Sequence, residues 1–298
     1  MRKLIEKDLS AVREMLSRVL SLDGYEKIER LGGLTNHTYR VTVKGGEEYV
    51  VRIPGEGTEQ MIVRDDERVS TELACSLGID APLLYFGADG AKITRYIADA
   101  ETMSKDTIKE EKNLHRVASV LRTLHGCGED TGVPFEVFEM AASYEKIIES
   151  MRVSMFDDYG EIKARVLEIK RATDTAVSVK KVPCHNDPLC ENWVVGGEKM
   201  YLIDWEYAGM NDGMWDVADV SIEAEMTERE DAVLLSAYLG REPTLIDKRH
   251  FLASKIYVDY LWTLWAKARV PYDGQPMEDW AVERYARLKD NIRAYDAL

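Results

Sequence analysis

Near residue 97 the hydrophobic pattern of this chain changes period, and that change limits the fold more than any other feature. Before it, "TYRVTVKGGEEYVVRI" and "LLYFGADGAKITRYI" alternate as strands do, with turns at Gly45-Gly46 and Asp89-Gly90. One stretch among them, "DDERVSTELACSLG", reads as a helix that stops at Gly78. Ahead of the strands, Leu4, Ile5, Leu9, Val12, Leu16, Val19 and Leu20 lay one apolar stripe along a first helix. Beyond residue 97, Leu114, Val117, Val120, Leu121 and Leu124 recur at helical spacing, and residues 227–240, 247–269 and 276–296 continue the helical pattern. A small hairpin, "NWVVGG" with "MYLIDW", is embedded in this helical part. The pattern predicts an α+β chain with a small β-rich lobe at 1–97 and a larger, mainly helical lobe at 98–298. A cleft between two such lobes is a common place for a ligand.

Composition narrows the partners. The formal net charge of −15 argues against nucleic acid and against an anionic membrane surface, because both need Lys/Arg patches. The same charge suits a small cationic substrate, although solubility alone also explains it. The four cysteines form no C-x-x-C, so no zinc site is expected, and they read as buried thiols of a reducing compartment. No apolar run is long enough to span a membrane and no signal-type segment opens the chain, so the expectation is a cytoplasmic protein.

The order of polar residues suits phosphoryl transfer from a nucleotide, which needs a loop over the phosphates, a cation, metal-binding oxygens and a base. In "LGGLTNHTYRV", Gly32 and Gly33 expose backbone N–H groups to phosphate oxygens, and Thr35, Asn36 and Thr38 add donors. Taken alone, that stretch is also an ordinary hairpin turn. Arg52, near the end of the next strand in "YVVRIPG", supplies a permanent cation. Glu67 on the following helix is the expected ion-pair partner of Arg52, with Glu72 as its rival. "VPCHNDPLCENWVV" carries H-x-D-x-x-x-x-N: Asp187 to accept a hydroxyl proton and Asn192 to offer a neutral oxygen to Mg²⁺. Asp204 ends an apolar strand seventeen residues after Asp187 and suits the same metal. His185 reads as a brace for this loop, and His125 as packed or capping a helix end.

These pieces, "GGLTNHTYRV", "YVVRIPG", "HNDPLCENW" and "LIDWEYAGMNDGMWDVAD", resemble the bacterial choline kinases within the choline/ethanolamine kinase and aminoglycoside phosphotransferase group. The resemblance runs from about residue 22 into the C-terminal helices. It implies a protein-kinase-like fold, ATP and Mg²⁺, and adenine near Tyr96 and Ile97. By match, Asp187 is the base and Asn192 and Asp204 are the metal ligands, with Glu206 assisting. An acceptor site for choline must hold a permanent cation, which calls for aromatic faces and carboxylates. Trp262 and Trp265, three apart on one helix, would by themselves suggest core packing. The resemblance instead places Trp262, Trp265 and Trp280 around the ammonium group, with Glu223 facing it. The implied activity is phosphorylation of choline. Ethanolamine, thiamine or an aminoglycoside as acceptor, or a non-catalytic nucleotide- or cation-binding module, remain the alternatives.

Overall fold

The computed structural model describes residues 2–32, 36–55 and 62–298. By contact the chain divides into two units, 1–102 with 192–208, and 103–191 with 209–298. The expected division at 97/98 left the hairpin at 192–208 with the helices. Backbone pairing groups it with the first unit: β6 (Glu101–Thr102) pairs antiparallel with β8 (Trp193–Gly196), and Leu202 N–H donates to Ile79 O at 2.8 Å.

In the first unit, α1 (Arg2–Leu20) precedes β1 (Lys27–Gly32), β2 (Asn36–Thr42) and β3 (Glu48–Pro54). Then come α2 (Arg64–Ser76), β4 (Leu83–Phe86) and β5 (Lys92–Arg95). The five-stranded sheet has the order β1-β2-β3-β5-β4. Val12, Met15 and Leu16 of α1 bury themselves against Tyr39, Val41, Tyr49, Val51 and Ile93. Because side chains alternate along a strand, the residues that face this core leave the next ones for the other side. Val51 thus faces α1, while Arg52 emerges on the opposite face, directly across from Lys92 on β5. Gly45 and Gly46 both take positive φ in the β2–β3 turn, a conformation that side chains resist. β8 and β9 (Lys199–Leu202) form an antiparallel hairpin that, with β6, makes a second sheet in this unit.

The second unit is helical: α3 (Glu111–His125), α4 (Val137–Ser150), α5 (Tyr159–Ala176), α6 (Gly213–Glu223), α7 (Glu228–Leu239), α8 (Leu245–Asp273) and α9 (Gln275–Ala297). β7 (Lys181–Cys184) pairs antiparallel with β10 (Gly209–Asp212), a strand that the pattern of "GMND" did not announce. α8 begins with a capping box, in which Thr244 and Asp247 exchange hydrogen bonds. It runs four residues beyond the expected end, through Pro271. Among the described residues, no helix is long and apolar enough to cross a membrane.

Candidate active site

The first unit gathers charge on the face of the sheet away from α1. Arg52 is 4% exposed, and its Nη2 lies 2.5 Å from Glu67 Oε1 and donates to Gly90 O at 2.8 Å. Its Nη1 lies 3.3 Å from Asp204 Oδ1 and 3.6 Å from Glu206 Oε1. Glu72, the rival partner, instead pairs with Arg68 on the exposed side of α2. Oxygens of Glu67, Asp204 and Glu206 all lie within 4.8 Å of one another. Three hard carboxylate donors at that spacing fit a divalent cation such as Mg²⁺. Asp204 sits just past β9 with φ of 70°, in the left-handed region, and is the open member of the group at 40% exposure. Asn192 closes the short 3₁₀ turn before β8, and its carbonyl accepts from Ile203 N–H at 2.9 Å, which ties it to the residue before Asp204.

Asn36 starts β2, and its Nδ2 donates to Glu206 Oε1 at 2.9 Å. Gly32 ends β1 opposite Thr38. Gly33 and Thr35, assigned above to the phosphates, lie outside the described residues. Tyr96 N–H donates to Glu48 O at 3.1 Å, and the Arg40 guanidinium covers one face of the Tyr96 ring at 4.0 Å. Ile97 is packed so closely that a Cβ added to Gly196 would fall 2.3 Å from its Cγ2.

The second unit holds the loop that carries Asp187. Asp216 on α6 is fully buried, and its two oxygens accept from His185 N–H and Asn186 N–H, each at 2.8 Å. His125 Nε2 lies 3.0 Å from the same carboxylate, and its Nδ1 is 2.9 Å from Tyr238 Oη. Trp215 Nε1 donates to Asn186 O at 3.0 Å, and Asn211 Nδ2 to Asn186 Oδ1 at 2.9 Å. Asn186 takes φ of 66°, a conformation that asparagine tolerates better than most residues. Asp187 N–H donates to His185 Nδ1 at 3.3 Å, so the histidine braces the turn. Every polar atom of residues 185 and 186 named here is spent on shape, while the half-buried Asp187 side chain follows directly.

Trp262 and Trp265 meet edge to face at 6.2 Å, and Trp265 and Trp280 do so at 5.8 Å. The three tryptophans therefore form one contiguous aromatic cluster, with Trp262 buried and Trp265 and Trp280 partly exposed. Glu223 is ion-paired with Arg284, whose guanidinium lies 4.1 Å over the Trp280 ring. The Glu223 charge is thus met by a cation of the chain itself. One turn earlier on α6, burial pushes the Asp219 carboxyl well above its ordinary value, reinforced by the Glu223 and Asp187 charges.

Sequence reasoning passed over Asp216 and Arg64. Asp216 acts on a loop 30 residues away, and Arg64 reaches Glu206 across 142 residues, so neither has a local pattern that reveals it.

A strand arginine paired with a helix glutamate, and a half-buried carboxylate on a braced loop, are features found in protein-kinase-like phosphotransferases. Residues 28–259 match the choline/ethanolamine kinase family model, and the chain belongs to that family. A solved choline/ethanolamine kinase family protein from Mesorhizobium loti is 34% identical, with a TM-score of 0.84 over 95% of this chain and 94% of that one. Choline kinase LicA from Streptococcus pneumoniae is 29% identical, with a TM-score of 0.80 over 97% and 100% of the two chains. Protein LicA of Haemophilus influenzae is 27% identical over 267 residues, 85% of this chain and 76% of the relative.

Proposed function

We propose that this protein transfers the γ-phosphoryl group of ATP to the hydroxyl of choline, giving phosphocholine and ADP. The observation that carries the reading is the edge-to-face cluster of Trp262, Trp265 and Trp280 in a chain of this family. A trimethylammonium group has no N–H to donate, so aromatic faces attract it where hydrogen bonds cannot. A relative named LicA was solved in complex with AMP, which supports an adenine nucleotide as donor.

Asp187 accepts the proton of the choline hydroxyl as its oxygen attacks phosphorus in line. Arg52, held by Glu67, places fixed positive charge on the nucleotide phosphates. Gly32, Gly33, Thr35 and Asn36 supply donors to the same phosphates, and Tyr96 and Ile97 line the adenine. Asp204 and Asn192 hold Mg²⁺, with Glu206 beside them. When bound, the ion neutralises charge on the phosphoryl oxygens.

The test is ADP release from the purified protein with ATP, Mg²⁺ and one acceptor at a time: choline, ethanolamine, thiamine or an aminoglycoside. The reading expects choline to give the highest kcat/KM. A signal from ethanolamine with none from choline would overturn it, and binding of ATP without turnover of any acceptor would leave only a binding module.

A further inference from the structure

Arg64 opens α2, and one of its nitrogens does an unusual thing. Nη1 donates to Glu67 Oε2 at 2.6 Å and to Glu206 Oε1 at 2.8 Å. A single cationic nitrogen thus bridges two of the three carboxylates in the Glu67–Asp204–Glu206 group. Glu206 Oε1 also accepts from Asn36 Nδ2 at 2.9 Å and lies 3.6 Å from Arg52 Nη1. The Glu206 side chain is 5% exposed in consequence, against 40% for Asp204. The carboxylates are therefore unequal: Asp204 is open to solvent, while Glu206 is enclosed by donors of the chain.

The fold makes room for this arrangement. The Arg64 stem crosses the β4–β5 turn at Gly90, where a Cβ would fall 2.5 Å from both its Cδ and its Nε. Gly90 also has φ of 86°, so a side chain there would be strained as well as obstructive. An arginine keeps its positive charge even when it is buried. The residue is a full cation within a buried acidic group, and an uncompensated Glu206 would be costly there.

We propose that Arg64 is a built-in counter-ion that competes with the divalent cation for Glu206. The inference rests on the Mg²⁺ reading above. Arg64 holds Glu206 while no metal is bound, and the metal gains that oxygen only as Arg64 releases it. The residue is a positioning residue: it sets how readily the carboxylate group accepts an ion.

The experiment titrates Mn²⁺ alone into full-length, nucleotide-free protein and follows the free-ion electron paramagnetic resonance signal. It compares wild type with R64Q, R64K, E206Q and the R64Q/E206Q pair. Removing a cation that contacts the same oxygen should tighten Mn²⁺ binding by about tenfold or more in R64Q. That gain should disappear in the E206Q background, because the two residues then share nothing to compete for. R64K, whose compact ammonium forms no fork, should shift affinity in the same direction by less, and it carries the test if R64Q does not fold. Mn²⁺ affinity within twofold of wild type in R64Q and R64K would overturn the proposal. So would an equal gain with and without Glu206, which is the signature of a long-range field alone. Mg²⁺-dependent ATP turnover by wild type is a separate readout: its absence sinks the metal reading, whereas unchanged Mn²⁺ affinity in R64Q alongside Mg²⁺-dependent turnover sinks only this inference.

Discussion

Arg52 on β3 and Glu67 on α2 approach to 2.5 Å, and both side chains are buried. The pair links strand to helix and aims a guanidinium at the separate carboxylates of Asp204 and Glu206. Breaking one side of a buried pair leaves the other charge without compensation. E67Q is expected to cost about 3 kcal/mol in urea unfolding. Its KM for ATP should rise about tenfold, while its KM for choline stays within twofold.

Asp216 sets the geometry ahead of Asp187 by holding two consecutive backbone N–H groups. D216A strands both donors in the interior, at about 1–3 kcal/mol each. Turnover should fall at least a hundredfold in folded D216A, with the KM for choline changed much less, because the loop loses the position of its base rather than its binding surface. Circular dichroism separates that outcome from simple unfolding.

Asp80 gives the stability a pH dependence of unusual sign. Burial raises its pKa to about 6, and Lys92 on β5 works against that rise. A carboxyl with a raised folded pKa binds more protons folded than unfolded between about pH 4 and pH 6. Its contribution is therefore most favourable below about pH 4, declines as pH rises through about 6, and stays lower above that. The unfolding free energy of wild type relative to D80N should drop by on the order of 3 kcal/mol between pH 4 and pH 7. Paired denaturant titrations at the two pH values measure it, and a flat difference would contradict it.

Trp265 touches both of its neighbours in the aromatic cluster. W265A should raise the KM for choline by about tenfold, the equivalent of a 1–2 kcal/mol cation–π contribution. The KM for ATP should stay within twofold. An equal loss for both substrates would point to general damage in α8.

Much of this was legible in the sequence because the informative relations are short. Alternation along "YVVRI" turns Arg52 away from the core that Tyr49 and Val51 enter, and one helix later Glu67 is within reach. The H-x-D-x-x-x-x-N spacing announces a loop in which residue 185 braces and residue 187 is presented. The hairpin from Trp193 to Leu202 brings the ends that carry Asn192 and Ile203 together through plain register. The rest depends on contacts far apart in the chain. No local pattern says that Asp216 holds residues 185 and 186, that Arg64 bridges Glu67 and Glu206, or that Arg284 already pairs with Glu223. Helix ends were also blurred: the helical pattern predicts an end at 269, yet α8 continues through Pro271 to Asp273 before Gly274 ends it.

The most direct test of the account is the amount of phosphocholine formed from ATP and choline by wild type and by D187N, measured by mass spectrometry at matched, folded protein concentration. The account predicts steady accumulation with wild type. With D187N it predicts a loss of about a hundredfold to ten-thousandfold, the usual scale of a general base. Phosphocholine formed at comparable rates by both proteins, or by neither, would contradict it.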